Sequence, residues 1–291
     1  MLYGLRLEVN YSFDRPAGAG RQLLRVTPAH LPGRQELRAA RVAVSPPPLE
    51  EHRFTDFFGT EVIELVLPAG LTEFGVVMTA QVERIPMGAV LDISPSPGLL
   101  AAELSGVGDI SGDSPHHFLP VSPRIPVVAE ISAFAAEAAR GAPTLRETVE
   151  RLGRALHEEI RFDATATEVD TPIAEAFAGR KGVCQDFAQI MIAGLRSLGI
   201  PAGYVAGYLR TLPPPGKPRL QGADAMHAWV RAWAGRETGW IEYDATNACR
   251  VDADHIVVGY GRDYGDVAPV TGSLRLDGDH TGSHSVDIAE I

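Results

Sequence analysis

A thiol, an imidazole and a carboxylate occur in this chain in an order that suits acyl transfer: Cys184, His227 and Asp244. Cys184 follows Gly182-Val183 and opens a run in which Phe187, Ile190, Met191, Leu195 and Leu198 recur at helical spacing, closed by Gly199 and Pro201. It therefore belongs at the N-terminal tip of a helix, where unpaired N–H groups and the positive end of the dipole stabilise a thiolate. A thiolate is the form that attacks carbonyl carbon. A buried structural cysteine could occupy the same place, so the helix tip alone does not decide the matter.

His227 lies in the alternating run Met226 to Trp233. His227, Trp229, Arg231 and Trp233 fall on one strand face, and Met226, Ala228, Val230 and Ala232 on the other, which is a core face. A histidine in that setting is by itself a weak signal. The carboxylate adds more. Ala234 to Gly239 reads as a turn into a second strand at Trp240–Tyr243, and if Trp233 pairs with Thr238, His227 falls directly across from Asp244. A carboxylate there would orient the imidazole and stabilise its cation. Asp244-Ala245-Thr246-Asn247 also fits an Asx turn, and the two roles are compatible.

The surrounding elements fall into two halves. From Tyr3 to Phe13 apolar residues alternate strictly with polar ones, and short β-like runs follow at Leu23–Val26, Val42–Val44, Val62–Leu67 and Val76–Val82, separated by Pro- and Gly-rich turns. This predicts a small antiparallel β-sandwich over residues 1–100. A Gly-, Pro- and Ser-rich connector follows at 101–126, where His116-His117 is expected to be solvated rather than metal-binding. Residues 127–291 are expected to form an α+β core that includes the C-terminal strands. Within it, Thr144 and Glu147 have capping-box spacing ahead of a stripe from Leu145 to Ile160. Thr171-Pro172 opens a short helix ending near Gly179. Strands return at Ala202–Leu209, Ala225–Ala234, Trp240–Tyr243, Ile256–Tyr260 and Ser285–Ile288, with Leu212–Pro218 as a stiff surface loop.

Composition narrows the function. With 45% hydrophobic and 22% charged residues the chain is globular, and a net charge of -11 with scattered basic residues argues against nucleic acid or an anionic membrane as partner. The N-terminus lacks secretory-signal features and no apolar run is long enough to span a bilayer, so a cytoplasmic location is expected. Cys184 and Cys249 are the only cysteines, and both are expected to be free thiols, Cys249 as a packing residue. No metal-ligand cluster, phosphate loop or dinucleotide fingerprint stands out, so no cofactor or metal is expected.

Taken together these segments resemble the bacterial transglutaminase-like family. The resemblance rests on Gly182-Val183-Cys184-Gln185-Asp186-Phe187-Ala188, on His227-Ala228-Trp229-Val230, on Gly239 through Asn247, on His255-Ile256 and on Gly261 through Val267, with Asp56-Phe57-Phe58-Gly59 matching the β-rich region that precedes the core. It implies a papain-like/transglutaminase-like core of helices packed on an antiparallel sheet, with Cys184, His227 and Asp244 as a catalytic triad. Two positions depart from the family's habit: Ala245 stands where proline is usual, and Gly203 where arginine is common, the latter expected to alter the surface near the site. The implied activity is acyl transfer on peptide or protein amides through a thioester. Hydrolysis is the expectation, since no calcium-loop signature is present. Transfer to an amine, and a non-catalytic binding module, are the alternatives. Gln185 is considered as an oxyanion donor beside the Cys184 backbone N–H, Trp229 as a wall of the groove, and Arg262, Asp263 and Asp266 as a supporting charge network.

Overall fold

The structure is a computed structural model that describes residues 1–88, 90–211 and 224–291; the expected loop at Leu212–Pro218 lies outside the described residues. Six strands open the chain: β1 (Leu2–Ala17), β2 (Gly20–Leu24), β3 (Gln35–Ser45), β4 (Glu50–Thr55), β5 (Glu61–Leu67) and β6 (Leu71–Arg84). The alternation of β1 translates into burial of Tyr3, Leu5, Leu7, Val9 and Phe13, as a strand with one face inward requires. β4 left no trace in the sequence pattern because all six of its residues are exposed.

The connector carries a short helix α1 (Leu100–Ser105). His116 and His117 are not merely solvated: their Nε2 atoms bond the carbonyls of Val107 and Ile110 at 3.0 and 3.1 Å and tie the connector to itself. Then come α2 (Ala129–Ala138), α3 (Leu145–Glu159), β7 (Arg161–Phe162), α4 (Ile173–Gly179), β8 (Lys181–Gly182) and α5 (Cys184–Ser197). Thr144 caps α3 by accepting from the Glu147 N–H at 3.1 Å. α2 went unforeseen: it is alanine-rich, buries only Ile131 and Ala135, and has Val128 rather than a polar residue at its N-cap.

The chain continues through β9 (Ala202–Leu209), β10 (Ala225–Trp233), β11 (Trp240–Asp244), β12 (Cys249–Arg250), β13 (His255–Gly261), α6 (Tyr264–Val267), β14 (Val270–Leu274) and β15 (His280–Glu290). The core sheet has the order β12-β11-β10-β9-β13. On one side it shares a core with the helices, in which Tyr204, Val230 and Ala232 pack with Phe187, Ile190 and Leu195 of α5. Farther along β9 and on β13, Tyr208, Ile256 and Val258 enter the core of the β-rich half. Each such fully buried side chain contributes about 1.5–3 kcal/mol of transfer free energy. Hydrogen bonds reinforce the junction. Buried Gln35 bonds both the N–H and the carbonyl of Val257, and the Tyr208 hydroxyl donates to the Val26 carbonyl at 2.6 Å.

The assignment of the C-terminal strands to the core is corrected by their pairing. β15 pairs along nearly all of β1, and β14 pairs with β2, giving sheets ordered β15-β1-β6-β3 and β14-β2-β5-β4. The chain leaves the core and returns to complete the sandwich it began, because the long strand β1 would otherwise present an unpaired edge.

Gly153 sets how closely α3 approaches the core sheet. A Cβ there would lie 2.1 Å from the Tyr243 ring, next to Asp244. Gly153→Ala gains ~1 kcal/mol of helix propensity. It must still push α3 and β11 apart, so a net loss of about 1–2 kcal/mol is expected, read as a lower urea midpoint at unchanged slope.

Candidate active site

Cys184 is the first residue of α5, after Val183 in extended conformation (φ -102°, ψ 175°). The turn into the helix is held by Asp186, whose carboxylate accepts from the Val183 N–H at 2.8 Å and from the Thr167 hydroxyl at 2.6 Å. Gly182 makes room for this. A Cβ on it would stand 2.6 Å from Asp186 Oδ2, so its value is clearance for the cap. Burial pushes the Asp186 carboxyl up, against those two hydrogen bonds. The first N–H groups of α5 have no carbonyl one turn earlier within the helix, which leaves the Cys184 N–H available to a ligand.

His227 opens toward Cys184 from β10, and the two line one pocket of about 460 Å3 together with Phe162, Tyr204 and Met226. The imidazole Nε2 lies 2.8 Å from Asp244 Oδ2. Three of the residues singled out by sequence are therefore brought together, but by a different register from the one assumed. Trp233 pairs with Trp240, not Thr238, since the turn spans Ala234 to Gly239. The shift is two residues, so the strand faces are unchanged and Asp244 reaches His227 diagonally instead of straight across.

Asp244 is fully buried and accepts five hydrogen bonds. Oδ1 takes the N–H groups of Thr246 and Asn247, forming the Asx turn; Oδ2 takes His227, the Asn247 side chain at 2.7 Å and His255 at 3.1 Å. Despite burial, which works the other way, these donors and the His227 charge hold its carboxyl far below the usual range. His227 is pulled down by burial, but the Asp244 hydrogen bond and the interaction with Cys184 outweigh this and push it up to about 10. His255 is the residue that sequence reasoning left out of the site. The cue was present in the matched His255-Ile256 segment, but nothing in strand spacing links it to Asp244.

The cluster His227, Asp244 and His255 has the composition of a metal site. Its spacing is that of hydrogen bonds. Donor atoms on a tetrahedral zinc with bonds near 2.1 Å stand about 3.4 Å apart, whereas the two nitrogens here lie 2.8 and 3.1 Å from one oxygen that Asn247 also occupies.

Gln185 donates to the Val169 carbonyl at 2.9 Å, so its amide is already engaged. Tyr204 lines the Cys184 pocket, and burial, then the nearby Cys184 charge, raise its phenol well above the usual value, keeping it a neutral donor. Trp229 is not a groove wall: it packs with Val205, Val251 and Val257, donates to Glu242 and stacks edge-on against His255. Gly203 is not at the surface either, because a Cβ there would strike the Phe118 ring at 2.7 Å. Arg262 pairs with Asp266 at 2.8 Å and Asp263 caps α6, as a supporting network. Cys184 and Cys249 are both free and half-buried, and burial with the Asp244 charge pushes Cys249 up to about 11.

The match to known proteins now has a structural counterpart. The sequence pattern of the transglutaminase-like superfamily covers residues 132–245, and that of the bacterial transglutaminase-like N-terminal region covers 3–83. An uncharacterized protein of Mycobacterium tuberculosis is 32% identical over 289 residues, covering 95% of this chain and 88% of the relative. A protein-glutamine gamma-glutamyltransferase of Pseudomonas aeruginosa is 42% identical over 71 residues, 24% of this chain and 10% of that protein. A candidate cysteine protease from Cytophaga hutchinsonii shares the fold, with a TM-score of 0.75, 22% identity and coverage of 99% of this chain and 90% of its own. The chain belongs to the transglutaminase-like superfamily and carries its bacterial N-terminal region. Among the described residues no helix is long and apolar enough to cross a membrane.

Proposed function

We propose that this protein is a cysteine-dependent acyl-transfer enzyme that hydrolyses amide bonds of peptides or proteins, with Cys184 as nucleophile, His227 as acid and base, and Asp244 as its orienting partner. The observation that carries this is the buried His227–Asp244 pair at 2.8 Å, presented to a helix-tip thiol in a shared pocket. The four other donors fix the Asp244 carboxylate, and the carboxylate in turn fixes the orientation of the imidazole, as triad chemistry requires.

With His227 already holding the proton taken from Cys184, the sulfur bonds to the carbonyl carbon in the first half-reaction, placing negative charge on the carbonyl oxygen. Collapse of this intermediate expels the amine, which takes its proton from His227, and leaves a thioester. Water then gives a proton to His227 and attacks the thioester, and collapse returns the thiol and a carboxylic acid. The backbone N–H of Cys184 is one oxyanion donor, and the Tyr204 phenol is the second we assign. Tyr204→Phe is expected to lower kcat about 100-fold with little change in KM, measured on a chromogenic amide.

Water is favoured as acceptor because Cys184 is only half-buried and a thioester on it would stay wet. Transfer to an amine is the second reading, supported by the 71-residue similarity to the glutamyltransferase. Mass spectrometry of a glutamine peptide incubated with the enzyme, with and without excess primary amine, decides between them. Cleavage or deamidation in both samples supports hydrolysis, and amine adducts with little deamidation defeat it.

A further inference from the structure

A second groove adjoins the Cys184 pocket. It encloses about 650 Å3 between the β-rich half and the core, and Tyr264 lines both spaces, so the two are neighbours across that ring. Tyr11 and Phe74 form its aromatic floor, with ring centroids 6.2 Å apart, while Arg124 lies over the Tyr264 ring at 5.3 Å. The opposite wall is β14, one of the two strands that return from the core to finish the sandwich. What makes this more than a crevice is Gln22 on β2. It lines the groove, and its side-chain amide, which bonds no described residue, stays open to the groove rather than sealed in the core. The wall is bare beside it: a Cβ on Gly272 would stand 2.7 Å from Gln22 Oε1.

A carboxamide that no protein group occupies and that faces a groove is free to bond a ligand. It offers one acceptor and a donor pair, the complement of a peptide group, which has one of each. Aromatic walls beside it suit an apolar or aromatic side chain. An extended chain seated here and crossing the Tyr264 ring would reach the Cys184 pocket.

We propose that this groove is a subsite for the polypeptide flanking the reactive amide, with Gln22 bonding a substrate peptide group and Tyr11 and Phe74 receiving a neighbouring aromatic or apolar side chain. The proposal rests on the amide-cleaving reading of Cys184 and assigns the β-rich half a part in substrate choice.

The test separates binding from chemistry. A fluorescein-labelled dodecapeptide with phenylalanine on both sides of a central glutamine, and the same peptide with alanine in those places, are titrated by anisotropy onto the Cys184→Ala protein. The phenylalanine peptide is expected to bind more tightly. Gln22→Leu, which keeps the volume and removes the amide, should weaken that binding about 10-fold. Should Gln22→Leu misfold, Ser273→Trp serves instead: the position is exposed on β14 and a bulky ring there closes the groove from its rim. Equal binding of both peptides, or binding unmoved by a folded variant, overturns the subsite. In the enzyme with Cys184 intact, both groove variants should lower kcat/KM for the long peptide and spare a single blocked glutamine. Peptide binding without turnover of any amide would sink the hydrolase reading and leave the subsite standing.

Discussion

Cys184→Ala is expected to abolish amide turnover, lowering kcat by about 10^5–10^6-fold, as loss of a nucleophile does where nucleophile and base act as one unit. The fold should survive. Cys184 is half-buried at a helix tip whose cap is made by Asp186 and Thr167. Removing one sulfur atom leaves those bonds in place, so the melting temperature should stay within about 2 °C of the parent, in keeping with a surface-type substitution. The effect has a chemical companion that needs no substrate. Iodoacetamide at neutral pH should label Cys184 well ahead of Cys249, because Cys249 is pushed up to about 11 and is almost wholly protonated there. His227→Ala should slow labelling of Cys184 and not that of Cys249. Labelling of the two cysteines at equal rates, read by peptide mass mapping, would refute the nucleophile assignment.

Much of this site was legible because its parts follow short-range rules. Helical spacing fixed where α5 begins, and a period of two fixed which face of β10 carries His227. What failed was the pairing across the hairpin. Turn residues such as Gly235 and Gly239 mark a reversal, but the six residues between Trp233 and Trp240 could close in more than one register. The site tolerated the error only because it was an even number. His255 was hidden for a related reason: it belongs to β13, which joins the sheet beyond β9, so its approach to Asp244 is a long-range fact of topology. The return of β14 and β15 to the sandwich was equally invisible. Their residues pair with strands more than 200 positions earlier, and no local pattern encodes such a partner. β14, with Gly272 and Ser273 exposed, has too little apolar alternation to announce itself at all.

Asp244→Asn is expected to cost both activity and stability, since the same oxygens serve both. An isosteric amide has one accepting oxygen, whereas Asp244 uses two to receive five donors. Either orientation turns the new NH2 toward groups that are themselves donors. If it faces Thr246 and Asn247, the Asx turn loosens; if it faces His227 and His255, the imidazole loses the acceptor that fixes its tautomer. In a triad, that second loss costs about 10^4 in kcat, and breaking a buried charge pair destabilises by about 3–5 kcal/mol. The pH dependence identifies the cause. His227 is raised from 6.5 to about 10 in the folded chain, so the stability it contributes is fully present below pH 6.5 and is lost as pH climbs toward 10. Asp244 is shifted downward, so its contribution is present above the ordinary carboxylate range and fades as acid protonates it. The parent protein should therefore lose stability on both flanks. In urea titrations across pH 6 to 10, Asp244→Asn should flatten the alkaline decline. A variant that is uniformly weaker but keeps the parent's slope would mean that His227 owes its charge to something other than Asp244, and the orienting role would have to be withdrawn.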